Sequence, residues 1–345
     1  MIVAPPGDIR LGSLIVVYFP DPNELRAVVR AAASQTSRVL IIDNTPAVGD
    51  SGKTKTILDE VELEHSRLGS RGNVQVIRNR ENTGISRAYN AGIRVFERLG
   101  ITHLILLDQD SRLEDNATSV LVDTLRSLSE NAFIGSLSCE NIELGAPQSA
   151  PWRVLERAPR GIARKAYSRG RLRVGPNYRE ELTFTNSGTL LPMKVINRVG
   201  PFDEALFVDA VDYDYSLRIR EAGLACLSVP AARVFHRRGV SIQKRILGVP
   251  VSLSSFPPRR SYYILRDTLR FAGGWFSRYP RTVAGILATM TFVVIASMAV
   301  LGGRRERGQS IVKALFDCGH GVTGEWAASP NTRIETDSSN PPSHP

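Results

Sequence analysis

Cysteine is scarce in this chain of 345 residues. The three cysteines, Cys139, Cys226 and Cys318, are odd in number, far apart and without Cys-x-x-Cys spacing, so neither a disulfide framework nor a zinc site is expected. The first ten residues also lack the basic and then apolar pattern of a secretory leader. Both absences favour a reducing compartment, and we expect a cytoplasmic protein.

Acidic residues are also in deficit. The sequence holds 34 of them against 44 lysines and arginines, which gives a net charge of +10. Such a surface attracts phosphates, anionic lipid or nucleic acid. The most basic stretch, residues 152–173, has Trp152 and Tyr167 as its aromatic residues and matches no standard nucleic-acid-binding module. We therefore interpret it as a basic loop and expect no nucleic-acid partner.

Apolar and helical patterns alternate along the first third of the chain. We predict buried strands at residues 14–19, 39–42, 74–77 and 104–107. Helices are predicted from Asp21 and over Gly84–Leu99. This alternation is typical of an α/β, doubly wound, mainly parallel sheet, whose ligands bind outside the carboxyl ends of the strands. Asp43 and the pair of Asp108 and Asp110 fall at two such ends.

The rest of the chain gives a sparser pattern. We predict a strand over Thr183–Leu191, a helix over Val211–Ala222 and a strand over Ala225–Phe235. Thr282–Gly303 contains no charged residue in 22 positions, which is long enough to cross a bilayer. Aromatic residues interleaved with arginine precede this segment, as in helices that lie at a membrane interface.

The motif Asp108-Gln109-Asp110 carries the clearest chemistry. Residues two apart on an extended chain point to the same side, so both carboxylates can face one cation. Carboxylates suit Mg²⁺ and Mn²⁺, and Mg²⁺ is often shared with substrate phosphates. His236, which follows the last predicted strand, is either structural or a further ligand for an ion such as Mn²⁺. The alternative for the acidic pair is two solvated side chains in a turn.

Two helix starts have two interpretations each. Asn82 or Thr83 can cap the helix that begins near Gly84, and the same helix N-terminus can receive a phosphate. Asp212 and Asp214 either supply one general base or form an acidic first helical turn. Because residues two apart on a helix do not share a face, at most one of these two aspartates should point into a site.

Taken in order, these segments resemble glycosyltransferase family 2, whose domains adopt the GT-A (nucleotide-diphospho-sugar transferase) fold. The resemblance covers residues 12–240 and rests on the collinear motifs Val17-Tyr-Phe19, Ile42-Asp-Asn44, Glu81-Asn-Thr-Gly-Ile85, Leu107-Asp-Gln-Asp-Ser111, Gly200-Pro-Phe-Asp-Glu204 and Val234-Phe-His236. Similarity to the rhamnosyltransferase branch in particular rests on Asp108–Ser111, Thr185–Thr189 and Arg259–Ile264.

The resemblance implies a role for each matching residue. The nucleotide-sugar site is expected to comprise Asp43, which would hydrogen-bond the base, with Asn82, Gly84, Asn90 and Asp108. The ligands of a Mg²⁺ or Mn²⁺ ion are expected to be Asp108, Asp110 and His236. The acceptor side is expected to include Asn186, Ser187, Gly188 and Asp214. Asp212 corresponds to the catalytic base, although Val211 replaces the glutamate that precedes this base in the family.

The implied activity is inverting, metal-dependent sugar transfer in the synthesis of a cell-surface polysaccharide. The expected donor is dTDP-L-rhamnose and the expected acceptor is a glycan, often lipid-linked. Alternatives are another donor such as UDP-galactofuranose or a UDP-hexose, a non-catalytic scaffold, and a nucleic-acid-binding basic protein. A sugar-nucleotide nucleotidyltransferase is disfavoured because Phe19-Pro-Asp-Pro-Asn23, after the first strand, is not a glycine-rich phosphate loop.

The predicted organisation has three parts. Residues 11–240 form the GT-A catalytic domain, with a nucleotide-binding half at 11–111 and an acceptor half at 112–240. Residues 241–320 form a helical, membrane-associating extension, and residues 321–345 form a disordered tail. We expect peripheral association with the anionic inner face of the plasma membrane. A true span, and a helix packed on the catalytic domain or in a homo-oligomer contact, are the alternatives.

Overall fold

The computed structural model of the protein describes residues 8–47, 51–67, 73–128, 133–143, 175–236, 241–246 and 249–326. The basic stretch at 152–173 and residues 327–345 lie outside these ranges. The strands are β1 Leu11–Val17, β2 Arg38–Asp43, β3 Asn73–Arg78, β4 His103–Asp108, β5 Ser111–Leu113, β6 Ile134–Glu143, β7 Arg179–Glu181, β8 Thr189–Pro192, β9 Ala225–His236, β10 Ser241–Ile246 and β11 Val249–Ser254. The helices are α1 Pro22–Gln35, α2 Ser51–Arg67, α3 Ile85–Arg98, α4 Ala117–Leu128, α5 Met193–Val199, α6 Val211–Glu221, α7 Pro258–Trp275, α8 Pro280–Val300 and α9 Arg304–Gly319.

Nine strands form one mixed sheet in the order β3-β2-β1-β4-β8-β6-β9-β5, with β7 pairing to β9. The strands β1, β2, β3, β4, β6 and β9 share one direction, while β5, β7 and β8 run against them. The predicted doubly wound, mainly parallel α/β sheet is therefore confirmed. Chain order reverses at β1, which lies between β2 and β4, and this reversal is where ligands of open α/β sheets bind.

Helices cover both faces of this sheet because the strands are apolar on both sides. Leu14 belongs to the core cluster beneath α3, α5, α6 and α7, while the next residue, Ile15, belongs to the cluster beneath α1, α2 and α4. Local signals define the helix starts: the Asp21 carboxylate caps α1 by accepting from the backbone N–H groups of Asn23 and Glu24, at 2.9 and 3.0 Å.

The strand predicted over Thr183–Leu191 is shorter than expected, since β8 begins at Thr189. Gly188 has a φ of +75° and its N–H donates to Leu106 O, so the chain turns into the sheet only at this point. A Cβ here would lie 3.0 Å from both Cys139 Cβ and Val234 Cγ1, and therefore glycine is required for packing as well as for conformation.

The C-terminal extension differs from the prediction at both ends. It begins with the β10–β11 hairpin rather than a helix. Residues 321–326, predicted as the start of a disordered tail, pack on α7: Arg270 Nη2 donates to Val322 O and Arg266 Nη1 donates to Gly324 O, at 3.0 and 2.7 Å. These carbonyls satisfy donors of helix α7, which the composition of the tail does not reveal.

The extension shares a core with the catalytic domain. Phe271 and Trp275 of α7 and Val283 and Ile286 of α8 belong to the same buried cluster as the strands β1, β2 and β4. Among the described residues, α8 is the one helix long and apolar enough, by length and composition alone, to cross a membrane. One face of α8 is buried against α7 and the hairpin. On its other face, Phe292 and Ile295 are exposed.

Candidate active site at the carboxyl edge of the sheet

The sheet brings five strand ends to one edge. The β1–β2 and β1–β4 registers pair Val17 with Asp43 and Val16 with Asp108. The β6–β9 register, further along the same sheet, pairs Glu143 with His236. Because these strands are parallel, their final residues face a common crevice. Residues that are far apart in the chain are therefore neighbours here.

A cluster of Asp108, Asp110 and His236 occupies this edge. One ligand atom from each residue lies within 4.8 Å of the other two, and all three side chains are half-buried. The His236 Nδ1 to Asp110 Oδ1 distance is 3.4 Å. Two carboxylates and one imidazole form a donor set that accepts Mg²⁺ or, with the histidine, Mn²⁺. The residues that the sequence predicted as metal ligands are thus brought together and fit such an ion.

Two serine hydroxyl groups form hydrogen bonds with residues of this cluster. Ser187 Oγ donates to Asp108 Oδ2. Ser111 is fully buried opposite His236 in the β5–β9 pair, and its Oγ lies 2.9 Å from His236 Nδ1. Hydrogen bonds of this kind orient metal ligands in proteins. Burial raises the pKa of Asp110, and the nearby Asp108 charge adds to this, whereas His236 opposes it.

The end of β2 is tied to the loop before α3. Asn44 Nδ2 donates to Gly84 O at 3.0 Å, and Asn44 Oδ1 accepts from Asn79 Nδ2 and Thr83 Oγ1 at 2.7 and 3.1 Å. The neighbouring Asp43 is buried and accepts the N–H of Thr45 at 2.8 Å. The sequence indicated Asp43 and missed the part played by Asn44, although both stand in the same motif.

Gly84 joins this loop to the opposite side of the crevice. Its φ is +81°, and a Cβ would lie 2.7 Å from Phe207 O, so both conformation and space demand glycine. Ile85 N donates to that same carbonyl at 2.6 Å. Asn82 Oδ1 accepts the N–H of Gly84 at 3.0 Å, and α3 has no side-chain cap. Of the two interpretations of this helix start, a side-chain cap from Asn82 or Thr83 is therefore wrong, because Gly84 itself is the N-cap residue.

Asp212 lies in the first turn of α6. It is half-buried, and its Oδ1 accepts the N–H of Tyr213 at 2.9 Å. The phenol of Tyr89 is fully buried, and burial raises its pKa well above the ordinary range, with further contributions from the negative charges of Asp108 and Asp212. The charges of both carboxylates therefore act on the same buried phenol.

A family model for glycosyl transferase family 2 matches residues 13–189 of this chain, which is about half of its length. The chain belongs to this family. A dTDP-rhamnosyl transferase of Shigella flexneri is 28% identical over 265 residues, covering 74% of this chain and 77% of that protein. An N-acetylglucosaminyl-diphospho-decaprenol L-rhamnosyltransferase of Mycobacterium tuberculosis is 28% identical over 148 residues, covering 43% of this chain and 46% of that protein.

Solved glycosyltransferases share the fold. GalNAc-T7, solved with UDP, GalNAc and Mn²⁺, aligns with a TM-score of 0.52 and 15% identity over 80% of this chain, which spans about half (49%) of that one. A mannosyltransferase from Pyrobaculum calidifontis, solved with GDP-Man and Mn²⁺, aligns with a TM-score of 0.51 and 14% identity over 91% of this chain and 81% of that one. The predicted GT-A fold is confirmed by these alignments.

Two of the predicted site residues of this glycosyltransferase are buried and hydrogen-bonded to other residues of the chain. Asn90 is buried: its Nδ2 donates to Phe202 O and Glu204 Oε1, both at 3.0 Å, and its Oδ1 accepts from Phe202 N at 2.9 Å. Asp214 is buried, and its Oδ1 accepts from Trp275 Nε1 at 2.8 Å. Both side chains are therefore engaged by the protein itself.

The predicted acceptor segment contains a buried polar atom. Asn186 Oδ1 is buried and has no hydrogen-bond partner among the residues that the structure describes. Its two neighbours make contacts within the protein. Ser187 donates a hydrogen bond to Asp108, and Gly188 packs against Cys139 of β6 and Val234 of β9. Gln109, the middle residue of the acidic motif, was missed by the sequence: its Oε1 accepts the N–H of Tyr18 at 2.8 Å and so links β4 to β1.

Proposed function

We propose that this glycosyltransferase transfers L-rhamnose from dTDP-L-rhamnose to a hydroxyl of a glycan, with inversion at the anomeric carbon. The observation that carries the proposal is the cluster of Asp108, Asp110 and His236 at the carboxyl edge of the sheet, and the charges of Asp108 and Asp212 both act on the buried phenol of Tyr89. The donor is inferred from the Shigella relative, whose name specifies a dTDP-rhamnosyl transferase.

The metal would be held by Asp108, Asp110 and His236, with Ser187 and Ser111 orienting two of these ligands. When bound, a Mg²⁺ or Mn²⁺ ion neutralises charge that develops on the diphosphate leaving group. The net positive charge of the chain favours approach of an anionic donor. Residues 11–111 would then form the nucleotide side and residues 112–240 the acceptor side of the catalytic domain.

The nucleotide would lie along the ends of β1 and β2. Asp43 is the proposed contact for the base, and the loop at Asn82 and Gly84 the proposed wall of the nucleotide site. The Asn44 hydrogen bonds fix the distance between these two segments. We assign Asn90 a supporting role, since its side chain hydrogen-bonds the backbone of Phe202, which precedes the loop that leads into α6 and Asp212.

Asp212 is the proposed general base. Its carboxylate would take the proton from the acceptor hydroxyl as that oxygen attacks the anomeric carbon and the bond to the nucleoside diphosphate breaks. The helix N-terminus stabilises the charged form that a base requires. On the acceptor side, the buried Asn186 Oδ1 is the proposed contact for a sugar hydroxyl, and Ser187 and Gly188 shape the wall behind it.

The acceptor is proposed to be lipid-linked, and the protein to lie at the cytoplasmic face of the plasma membrane. The name of the Mycobacterium relative specifies a diphospho-decaprenol-linked acceptor. The extension of this chain exposes apolar side chains at Phe276, Phe292 and Ile295, and on α9 at Val312, Leu315 and Phe316. Arg278, Arg281, Arg304 and Arg305 are exposed near them in sequence. Apolar side chains bordered by arginine favour an anionic lipid surface.

The experiment is thermal stabilisation of the purified full chain by dTDP-L-rhamnose, UDP-galactofuranose and UDP-glucose, each with and without Mn²⁺ or Mg²⁺. A ligand at 100 times its Kd stabilises the folded state by about 2.7 kcal/mol. We expect a metal-dependent shift that is largest for dTDP-L-rhamnose, followed by transfer to a lipid-linked acceptor. A larger shift with a UDP-sugar would reassign the donor, and no shift with any donor would overturn the proposed function.

The metal assignment has its own variant pair. Asp110→Ala should remove the metal-dependent part of donor binding, because one of two carboxylate ligands is lost. Asp123→Ala, an exposed aspartate on α4, is the matched control and should bind donor normally. Donor affinity that ignores both EDTA and Asp110→Ala would contradict the metal site.

A further inference from the structure

The loop between Glu204 and α6 is fastened to helix α7 of the C-terminal extension. Arg260 Nη2 donates to Asp209 Oδ1 at 2.9 Å and the Phe207 ring stacks on Tyr263, but the backbone of the loop is held by one further side chain. Asp267 of α7 is completely buried, and its Oδ2 accepts the backbone N–H groups of Phe207, Val208 and Asp209 at 3.1, 3.0 and 3.2 Å. Three consecutive donors converge on one carboxylate oxygen. A buried carboxylate that accepts several N–H groups fixes their positions, since a hydrogen bond to an ionised acceptor is stronger than one between neutral groups.

The fastened loop leads directly into Asp212. Ala210 follows it with φ +61° and ψ 6°, a left-handed conformation that alanine rarely adopts, and α6 begins at Val211. A strained residue persists only where its surroundings hold it. Here the hydrogen bonds to Asp267 precede it and the first turn of α6 follows it. The position of the Asp212 carboxylate therefore depends on the anchoring of residues 207–209.

The same loop meets the nucleotide side of the crevice. Phe207 O accepts the N–H of Ile85, the first residue of α3, and Gly84 fits against Phe207. One short segment thus contacts the loop proposed to line the nucleotide site, the extension and the helix that carries Asp212. Displacing it would change the distance between the donor and the base.

The buried charge of Asp267 is neutralised by an ion pair with Arg266. Arg266 is also fully buried, and its Nε and Nη2 lie 2.9 and 2.8 Å from Asp267 Oδ1. Arg266 Nη1 donates to Tyr262 Oη and to Gly324 O at 3.1 and 2.7 Å. The arginine therefore occupies one carboxylate oxygen and leaves the other to the loop. This division explains why two adjacent charged residues are both kept in the core.

We propose that Asp267 is a positioning residue for sugar transfer: through Phe207, Val208 and Asp209 it sets the placement of Asp212. The inference rests on the proposed function, in which Asp212 is the base. A base must lie within hydrogen-bond reach of the proton that it removes, and a displacement of about 1 Å can cost on the order of 100-fold in rate. The extension is then part of the catalytic apparatus as well as a membrane-facing module.

The test compares Asp267→Asn with Asp317→Asn. Asp317 on α9 is a buried carboxylate of the same extension that accepts from Tyr262 and Lys313 and makes no hydrogen bond to the loop in the described structure. Both variants are measured for donor Kd, for donor-binding stoichiometry, which counts folded molecules, and for kcat. We expect Asp267→Asn to lower kcat per folded molecule by about 10- to 100-fold with donor Kd unchanged. Asp317→Asn should leave both unchanged.

A second variant keeps the test valid if Asp267→Asn does not fold. Asp267→Asn leaves Arg266 without its buried countercharge, so Arg266→Met with Asp267→Asn removes both charges together. The double variant should show the same fall in kcat at unchanged donor Kd. An unchanged kcat per folded molecule, or a fall in kcat matched by an equal loss of donor affinity, would overturn the positioning role. A wild-type protein that transfers no sugar would instead overturn the proposed function itself.

Discussion

The catalytic edge and the C-terminal extension both bury charged side chains, but they balance them differently. At the edge, Asp108 and Asp110 face an imidazole and a hydroxyl, and no lysine or arginine among the described residues forms an ion pair with either. In the extension, Arg266 and Asp267 neutralise each other. Charges balanced within the chain support structure, whereas an excess of one sign at a strand edge indicates a site for a ligand of the opposite sign.

Asp212→Asn should give the largest effect and sharpen this contrast. Loss of the proposed base should lower kcat by about 10²- to 10⁴-fold, because general-base catalysis contributes on that order. Donor binding with metal should be unchanged, and stability should fall by only about 0.3–1 kcal/mol, the usual worth of a charge near a helix N-terminus. Steady-state kinetics and calorimetry check both. Strong residual transfer would remove the base assignment.

Trp275→Phe should show the reverse pattern, with stability affected more than catalysis. The change leaves the buried Asp214 carboxylate without its indole donor, which should cost about 1–3 kcal/mol of unfolding free energy at pH 7. Tyr279→Phe, which removes a hydroxyl bonded to the exposed Glu221, is the control and should cost less than about 0.5 kcal/mol. Denaturant unfolding measures both.

The pH dependence gives the sign of the Asp214 effect. Burial raises the pKa of Asp214 above its ordinary value, and Trp275 and Arg218 oppose the rise. A carboxyl with a raised folded-state pKa binds protons more tightly when folded, so its contribution to stability falls as pH rises through the unfolded value near about 4. Removing the indole raises the pKa further. The destabilisation by Trp275→Phe should therefore shrink from pH 7 toward pH 4, and a constant difference would contradict this account.

The smallest effect concerns the outer face of the extension. Changing Val312, Leu315 and Phe316 together to glutamine should weaken binding to anionic vesicles about tenfold, or about 1.4 kcal/mol. This is less than the roughly 1.5–3 kcal/mol for full burial of each side chain, because side chains at a membrane interface insert only in part. Leu63→Gln with Leu99→Gln, two exposed leucines of the catalytic domain, is the matched control. Vesicle sedimentation reads the binding, and transfer to a water-soluble acceptor should be unchanged. Equal binding by both variants would place the membrane contact elsewhere.

The local sequence determined the framework of this protein. Alternating apolar and helical patterns specify β2, β3 and β4 and the helices α3 and α6 to within one residue, because period and capping act over short distances. The first strand is predicted at residues 14–19 and is found at Leu11–Val17. The acidic residues at the strand ends were also predicted from the local sequence. The spacing of Asp108 and Asp110, and their place after a buried strand, were enough to predict an acidic pair at the carboxyl edge of the sheet.

Tertiary structure decided which polar residues face the crevice and which support it. Asn90 and Asp214 stand in motifs beside true strand and helix starts, yet their partners, Phe202 and Trp275, lie 112 and 61 residues away in sequence. The anchoring of the catalytic loop by Asp267 likewise joins segments 58 to 60 residues apart. The contacts of Trp275 and Asp267 depend on how α7 packs against the catalytic domain, and that packing is set by the shared core rather than by any local pattern. The sequence by itself therefore determined the first strands, the helices α3 and α6 and the acidic motif after β4, because these depend on local patterns. The tertiary structure decided which acidic side chains are bound by distant segments of the protein, because such contacts depend on packing.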